Sequence, residues 1–143
     1  MRVYQSSIQV PTRGRGTYNI TSKVTDIVRH SDIQMGTALL FVQHTSAGII
    51  LCENADPDVR HDLETFMQDL VPDGDPRYRH QDEGPDDMPA HVRSMLASSE
   101  MTIPVVGYEP GLGIWQGIYL WEHRTAPHQR NVIVTVQGYA PTQ

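Results

Sequence analysis

The chain has 143 residues, a formal net charge of −6, and 38% hydrophobic and 20% charged residues. These values indicate one soluble globular domain, and they exclude a disordered chain and a chain of two ordinary domains. No apolar run reaches membrane-spanning length and no basic stripe is present, so neither a membrane nor a nucleic acid is predicted as a partner.

The acidic residues and the cysteine narrow the expected ligands and location. Most of the 17 acidic residues fall between Glu53 and Asp87, which favours cations and small molecules as ligands. Cys52 is the single cysteine, so no internal disulfide forms, and its apolar neighbours indicate an inert core residue. No secretory signal is apparent near the N-terminus, so we expect a cytoplasmic protein.

The first third of the chain predicts three strands and a helix. Residues alternate from Tyr4 to Val10, which indicates a half-buried strand, and Thr17 to Ile20 indicate a short second strand. Apolar residues spaced three and four apart then predict a helix over about residues 22–31. The nearly continuous apolar run TALLFVQ after Gly36 predicts a central strand that is covered on both faces.

The middle of the chain predicts one further strand and two helices. A second apolar run, Ile49–Glu53, follows the polar break HTSAG (His44–Gly48), as at the end of a sheet. Asp56 is a natural N-cap before Pro57, and the periodic apolar residues after it predict a helix of about four turns. Met88 to Leu96 predicts another helix.

The last third of the chain predicts three strands separated by turns. The strands cover Met101–Val106, Ile114–Glu122 and Asn131–Gln137, with a hairpin-type turn at Gly107–Gly113. About seven strands and three helices inserted mid-chain, without regular alternation, predict a single α+β domain over residues 1–143. Its sheet is expected to be largely antiparallel, or a sandwich.

One segment, YRHQDEGPDDMPAH at residues 78–91, is unusually rich in groups that bind metals and protons; we call it the acidic-histidine loop. Its two histidines, His80 and His91, are expected to bind a divalent metal ion, either zinc or an ion like magnesium or manganese. His44, at the end of a predicted central strand, is the expected third ligand. Three histidines would leave a coordination position open to water or substrate. The alternative is that these histidines only hydrogen-bond to loop carbonyls.

The carboxylates of the acidic-histidine loop have several possible roles. Glu83, Asp86 and Asp87 are candidates for a general base, for partners that orient the ligand imidazoles, for ligands of a hard cation, or for substrate contacts. Asp86 and Asp87 also precede the second predicted helix, so N-capping is an alternative for at least one of them. Glu83 has no such structural explanation and is the preferred acid–base residue.

Two further segments are expected to complete the pocket. In HTSAG, the backbone amides and hydroxyls of Thr45, Ser46 and Gly48 are suited to hold a phosphate or carboxylate, and this is favoured over serine catalysis with His44. A second polar group follows the aromatic strand at Glu122, His123 and Arg124. We expect these three residues in the catalytic site, with Arg124 clamping an anion; a surface ion pair is the alternative.

Five segments of the chain are similar to those of one protein family. They are HTSAG (His44–Gly48), ENADPDVRHDLE (Glu53–Glu64), YRHQDEGPDDMPAH (Tyr78–His91), WQGIYLWEHR (Trp115–Arg124) and VTVQG (Val134–Gly138). In these segments the chain resembles the YjbQ-like proteins, a family also labelled secondary thiamine-phosphate synthase. Two residues depart from the family pattern: Cys52 stands where asparagine is expected, and Ile114 stands where threonine is usual.

The resemblance implies a compact α+β fold, a homotrimer, and one pocket that collects the shared polar residues. Trp115 and Gln116 are therefore expected among the substrate contacts. The resemblance also implies weak thiamine-phosphate synthase activity, which joins a pyrimidine methyl pyrophosphate to a thiazole phosphate and releases pyrophosphate. Such a reaction requires a cation or an arginine at the departing pyrophosphate.

The low lysine content favours a different main reaction. Lys23 is the only lysine, and two phosphorylated substrates would call for more cationic groups. We therefore expect a metal-dependent enzyme that acts on a small phosphorylated or otherwise anionic metabolite, with the synthase reaction as a side activity. Two alternatives stay open: metal-assisted hydrolysis of such a metabolite, and a non-catalytic trimeric ligand-binding module.

Overall fold

The structure is a computed structural model that describes residues 1–141. Over these residues the chain forms eight strands and three helices. In chain order they are β1 (Arg2–Pro11), β2 (Gly16–Asn19), α1 (Thr21–His30), β3 (Met35–Val42), β4 (Ala47–Glu53), α2 (Pro57–Leu70), α3 (Asp87–Ala97), β5 (Glu100–Val106), β6 (Glu109–Pro110), β7 (Gln116–Glu122) and β8 (Gln129–Tyr139).

The strands form two antiparallel sheets, which confirms the predicted α+β architecture. The larger sheet has the order β1-β8-β3-β5-β6, and the smaller sheet has the order β2-β7-β4. The long pairing of β1 with β8 runs from Arg2 opposite Gly138 to Pro11 opposite Gln129. No helix within residues 1–141 is long and apolar enough to cross a membrane.

The hydrophobic core lies between the inner faces of the two sheets and one face of α1. Alternate residues of each strand point into it, because successive side chains of a strand lie on opposite faces. From the larger sheet come Ile8, Val10, Ala38, Leu40, Val42, Ile103, Val105, Val132, Val134 and Val136; from the smaller sheet come Ala47, Ile49, Ile118 and Leu120; and from α1 come Val24 and Val28.

The prediction that β3 is covered on both faces was wrong within this chain. The inner residue Leu40 is buried, but its neighbours Leu39 and Phe41 are 37% and 43% exposed. The chain supplies no described element to cover the outer face of the larger sheet. A run of apolar residues shows that both faces of a strand are hydrophobic. It does not show which helix, sheet or subunit covers each face.

Helix α2 begins as predicted and packs less completely than predicted. The Asp56 side chain accepts a hydrogen bond from the Asp58 backbone N–H at 2.9 Å, and Pro57 is the first helical residue. Met67 is buried beside Trp121, whereas Phe66 and Leu70 on the predicted apolar face are exposed. The periodicity therefore located the helix correctly, and only part of its apolar face meets the rest of the chain.

Two boundaries near the C-terminal strands also differ from the prediction. The predicted turn at 107–113 contains the short strand β6, which pairs with the end of β5. Strand β7 begins at Gln116, because the Gln116 side chain accepts a hydrogen bond from the Gly113 N–H at 2.8 Å and closes a turn before it.

The smaller sheet brings two of the predicted polar segments together. β7 ends at Glu122, which pairs with Ala47 of β4 on one side and with Gly16 of β2 on the other. HTSAG and the segment Glu122–Arg124 are therefore neighbours at one edge of the fold. The acidic-histidine loop follows α2, its residues 87–91 begin α3, and it reaches the same edge through Arg124.

Candidate functional site

The acidic-histidine loop folds so that two imidazoles and one carboxylate converge. Nε2 of His80 lies 2.6 Å from Oδ2 of Asp87, and Nε2 of His91 lies 3.2 Å from the same oxygen. With one potential ligand atom taken from each residue, His80, Asp87 and His91 lie within 4.8 Å of one another. Asp87 and His91 share one face of α3 at i, i+4 spacing, and the loop turns at Gly84 (φ +104°) before α3 begins.

Arg124 holds the loop in this conformation. Its Nε lies 2.9 Å from Oδ2 of Asp86, its Nη1 lies 2.8 Å from Oδ1 of Asp87, and its Nη2 donates to the Glu83 carbonyl at 2.9 Å. Each guanidinium nitrogen thus contacts one of the chain's own oxygens. To clamp an external anion, as expected from the sequence, Arg124 would have to release one of these acceptors.

Asp86 is held by residues far along the chain. Its Oδ2 accepts hydrogen bonds from the Thr125 backbone N–H and hydroxyl, at 2.9 and 3.1 Å, as well as from Arg124. Burial alone would raise the pKa of Asp86, but the hydrogen bonds from Thr125 and Arg124 outweigh it and lower that pKa to about 2. Asp86 stands at the N-cap position of α3 without a side-chain cap hydrogen bond, so the capping alternative was wrong for this residue.

The protonation states of the cluster follow from these contacts. The hydrogen bond to Asp87 raises the pKa of His80 above its ordinary value of 6.5. Burial works to raise the pKa of Asp87, but the hydrogen bond from His80 and the charge of Arg124 lower it overall. The buried carboxylate of Asp87 is therefore ionised, and Glu83, at 63% exposure, points an oxygen to within 3.5 Å of His80 Nε2.

The donor set and its surroundings suit a divalent metal ion. Two imidazole nitrogens and one carboxylate oxygen are ligands of zinc, manganese and iron, and three protein ligands leave further positions open. Because Arg124 occupies Oδ1 of Asp87, Oδ2 is the oxygen that faces both imidazoles. A cleft of about 400 Å³ is lined by Tyr78, His80 and Met88 among others, so it reaches the cluster at His80.

His44 lies away from this cluster. Its Nε2 accepts a hydrogen bond from the Asn131 backbone N–H at 2.8 Å, and its Nδ1 lies 3.4 Å from Nη1 of Arg130. Asp87, rather than His44, is the third donor beside His80 and His91. The signal for Asp87 was in the sequence, because it precedes His91 by four residues at the start of a predicted helix.

Within HTSAG, Ser46 and Gly48 serve contacts inside the chain. Ser46 is buried, and its hydroxyl and carbonyl oxygens accept from Nη2 of Arg130 at 2.8 and 3.3 Å. A side chain at Gly48 would lie 2.8 Å from the Ser98 carbonyl oxygen, so glycine permits the close approach of β4 to the end of α3. Thr45 is exposed and lines a separate cleft together with His44.

Glu122 and Arg130 form a buried ion pair that sequence reasoning missed. Nε of Arg130 donates to Oε1 of Glu122 at 2.8 Å, and the Thr12 hydroxyl donates to the same oxygen at 2.7 Å. Burial opposes ionisation of Glu122, but these donors lower its pKa overall. Arg130 has the strand parity of the buried valines of β8, and this parity was the available signal for an inward-pointing charge.

His123 is fully buried beside the ring of Trp121, with ring centroids 5.3 Å apart. Within residues 1–141 neither of its ring nitrogens has a hydrogen-bond partner. Burial lowers the pKa of His123 to about 3, so its imidazole is neutral at physiological pH. Any proton transfer by His123 would need a ligand that reaches the interior.

Trp115 and Gln116 lie at the opposite end of β7 from Glu122. Six residue steps separate Gln116 from Glu122, which amounts to roughly 20 Å along a strand. Trp115 is exposed just before the strand, whereas Trp121 is buried and donates to Glu64 at 2.7 Å. Within one chain, a small substrate at Glu122 therefore does not reach Trp115.

Fold and site together define a class of small α+β proteins, with two antiparallel sheets and a two-histidine, one-carboxylate cluster between a loop and a helix. The family model described as UPF0047 protein YjbQ-like matches residues 6–139. The chain belongs to this family, as its sequence motifs predicted.

Similar proteins support this assignment over nearly the whole chain. UPF0047 protein sll1880 from Synechocystis sp. is 50% identical over 137 residues, covering 96% of this chain and 93% of that protein. UPF0047 protein YjbQ from Escherichia coli O157:H7 is 38% identical over 136 residues, covering 94% and 98%.

Solved structures have the same fold. A YbjQ-like protein of unknown function from Sulfolobus solfataricus P2 has a TM-score of 0.88 at 26% identity and covers 96% of this chain and 99% of its own. An uncharacterised yjbq/upf0047 family protein from Clostridium acetobutylicum has a TM-score of 0.82 at 34% identity, covering 94% and 99%.

Proposed function

We propose that His80, Asp87 and His91 bind a divalent metal ion and that the protein is a metal-dependent enzyme. Its substrate is a small phosphorylated or otherwise anionic metabolite. The proposal is supported by one observation above all: Nε2 of each histidine contacts Oδ2 of Asp87, and the three residues offer ligand atoms within 4.8 Å of one another beside an open cleft. If His80 and His91 only stabilised the loop, their ring nitrogens would be expected to hydrogen-bond to backbone carbonyls.

The surrounding residues have distinct roles in this proposal. Arg124 fixes the orientation of Asp87 by holding Oδ1, as groups outside the ligand set commonly do for metal ligands. Glu83 is exposed and close to His80, so its carboxylate is able to hold a proton at the mouth of the cleft. A bound ion supplies positive charge for a departing or transferred phosphate and lowers the pKa of a bound water.

The class of reaction depends on which cationic side chains are free to bind phosphate groups. Thiamine-phosphate synthase activity, implied by the sequence resemblance, requires two phosphorylated substrates in one pocket. Arg124 is already engaged by Asp86 and Asp87, so it is not free to hold these phosphate groups. We therefore propose the synthase reaction as a side activity. Product analysis separates it from hydrolysis: a coupled pyrimidine–thiazole product supports transfer, and phosphate released from one substrate alone supports hydrolysis.

Metal analysis tests the site directly. Purified protein is expected to bind one zinc or manganese ion per cluster, and Asp87→Asn and His80→Ala are expected to weaken binding by about tenfold or more. His61→Ala serves as the control, because His61 is exposed on α2 away from the cluster. Wild-type affinity in both cluster variants, measured by titration of the metal-free protein, would contradict the ligand assignment.

A non-catalytic role is the second candidate, and the contacts of Arg124 favour it. One guanidinium ties together Asp86, Asp87 and the Glu83 carbonyl, which would stiffen the loop without any ion. In that case His80→Ala lowers thermal stability while metal binding is absent from wild-type protein. If His80→Ala instead loses metal and retains its melting temperature when metal-free, the stiffening role fails.

We also propose that the chain assembles with copies of itself, as a homotrimer. Self-association is supported by the outer face of the larger sheet, where Leu39 and Phe41 are exposed beside Ile133 of the neighbouring strand. The number of three subunits is what the sequence resemblance implies. Exposed apolar patches of this kind mark interaction surfaces in soluble proteins. Closed symmetric assemblies are the usual way for one chain to cover such a face.

A further inference from the structure

The hydrogen bonds of His44 determine which of its ring nitrogens carries a proton. A backbone N–H is always a donor, so Nε2 of His44 must accept the hydrogen bond from the Asn131 N–H at 2.8 Å. Nε2 is therefore unprotonated. The neutral ring then carries its hydrogen on Nδ1, and Nδ1 is a donor.

Nδ1 of His44 faces a second donor. It lies 3.4 Å from Nη1 of Arg130, and a guanidinium nitrogen has no lone pair to accept a hydrogen bond. Within residues 1–141, this imidazole is the only group within hydrogen-bonding distance of Nη1, whereas Nε and Nη2 of Arg130 are bonded to Glu122 and Ser46. Two donors therefore point to one place without an acceptor between them.

We propose that Nδ1–H of His44 and Nη1 of Arg130 together bind an oxyanion, the carboxylate or phosphate group of a small ligand. A separation of 3.4 Å allows both donors to reach one oxygen, or each to reach one of two oxygens on the same group. Arg130 is 3% exposed, and its guanidinium is held in position by Glu122 and Ser46. A preformed donor pair of this kind costs little to order when the ligand binds.

The ion pair between Arg130 and Glu122 does not provide the acceptor that Nη1 of Arg130 lacks. The Glu122 carboxylate is shared among the Thr12 hydroxyl and the backbone N–H groups of His123 and Arg124, in addition to Arg130. Its negative charge is therefore spread over several donors on the far side of the guanidinium. Nη1 is the part of the guanidinium that points away from Glu122 and toward His44.

A cleft gives a ligand access to His44. It has a volume of about 350 Å³ and is lined by Phe41, Val42, Gln43, His44, Thr45 and Ser99. This volume is at the small end of ligand pockets, which suits an acid group on a small metabolite. The lining residues include the hydroxyls of Thr45 and Ser99 for further hydrogen bonds. The site uses none of the proposed metal ligands, so it does not depend on the metal proposal.

The tautomer of His44 tests the premise. Nitrogen-15 chemical shifts of the imidazole, recorded at neutral pH on labelled protein, distinguish a protonated Nδ1 from a protonated Nε2. We expect the Nδ1–H form. A spectrum of the Nε2–H form would overturn the proposal, because Nδ1 would then accept from Arg130 and no free donor pair would exist.

Anion titrations test the site itself. Acetate and inorganic phosphate are titrated separately against chloride at constant ionic strength, with the Ser46 amide resonance and the melting temperature as readouts. We expect saturable binding of at least one of the two anions, weakened about tenfold or more in His44→Phe, which keeps a ring and loses the donor. The anion that binds more tightly identifies the group as a carboxylate or a phosphate.

A control variant makes the result specific. His61→Phe makes the same substitution at an exposed histidine and is expected to keep wild-type anion binding. Equal binding by His44→Phe and wild-type protein, or no saturable binding of either anion by folded wild-type protein, would overturn the proposal.

Discussion

At the scale of single residues, His123 shows how the fold changes the chemistry of a side chain. The sequence presented it between Glu122 and Arg124, as one of three polar neighbours suited to catalysis. In the structure its ring is buried against Trp121, and both nitrogens lack partners within residues 1–141. Burying a neutral imidazole at this position costs less free energy than burying a charged one. The pKa of His123 therefore falls to about 3.

This depressed pKa predicts a dependence of stability on pH. In the unfolded chain His123 becomes protonated below its ordinary pKa of 6.5. In the folded chain its imidazole stays neutral until the pH falls to about 3. The free energy of unfolding therefore falls as the pH decreases between these values, by a few kcal/mol at most from this residue, roughly 1.4 kcal/mol per pH unit. Urea denaturation across this range measures the slope, which should be shallower in His123→Phe.

The control for this prediction is an exposed histidine. His61→Phe is expected to keep the wild-type slope, because His61 on α2 is exposed and its environment changes little on unfolding. Equal slopes for His123→Phe and wild-type protein would mean that other groups carry the acid sensitivity. The carboxylates with lowered pKa values, Asp86 and Glu122, contribute in the same direction and remain in both variants.

At the scale of elements, local signals in the sequence were sufficient for most helices and strands. The N-cap at Asp56 and the proline after it act within a few residues, so α2 could be placed from sequence alone. The burial of its apolar face depends on partners elsewhere in the chain, and Phe66 and Leu70 stay exposed. The same distinction explains β3, whose position was correct and whose predicted cover was not.

The cap of α2 predicts a measurable contribution to stability. Asp56→Ala removes the acceptor of the Asp58 N–H, which is bonded at 2.9 Å, and should cost about 1 kcal/mol of unfolding free energy. Asp56→Asn keeps an acceptor oxygen and should recover most of this loss. Chemical denaturation of the three proteins checks the prediction, and equal losses in both variants would indicate a charge effect rather than a cap.

At the scale of the whole molecule, the candidate site depends on contacts that no local pattern specifies. His80 and His91 were predicted together because they share one short segment, and the structure places them around Asp87. His44 was linked to them by residue type and by its place at the end of a predicted central strand, and it lies instead beside Arg130, which is 86 residues away in sequence. Such pairings follow from strand order, which single-sequence patterns did not determine.

The larger sheet has one covered face and one open face, and this asymmetry predicts self-association. Phe41 pairs with Ile133 and Leu39 pairs with Thr135 on the outer face, so a charge at Phe41 would meet a partner subunit and not the core. We expect wild-type protein to elute as a homotrimer in light-scattering chromatography and Phe41→Glu to shift toward a folded monomer. Thr65→Glu, exposed on α2, should keep the wild-type mass. A monomeric wild-type protein, or a Phe41→Glu variant of unchanged mass, would show that this face is not the interface.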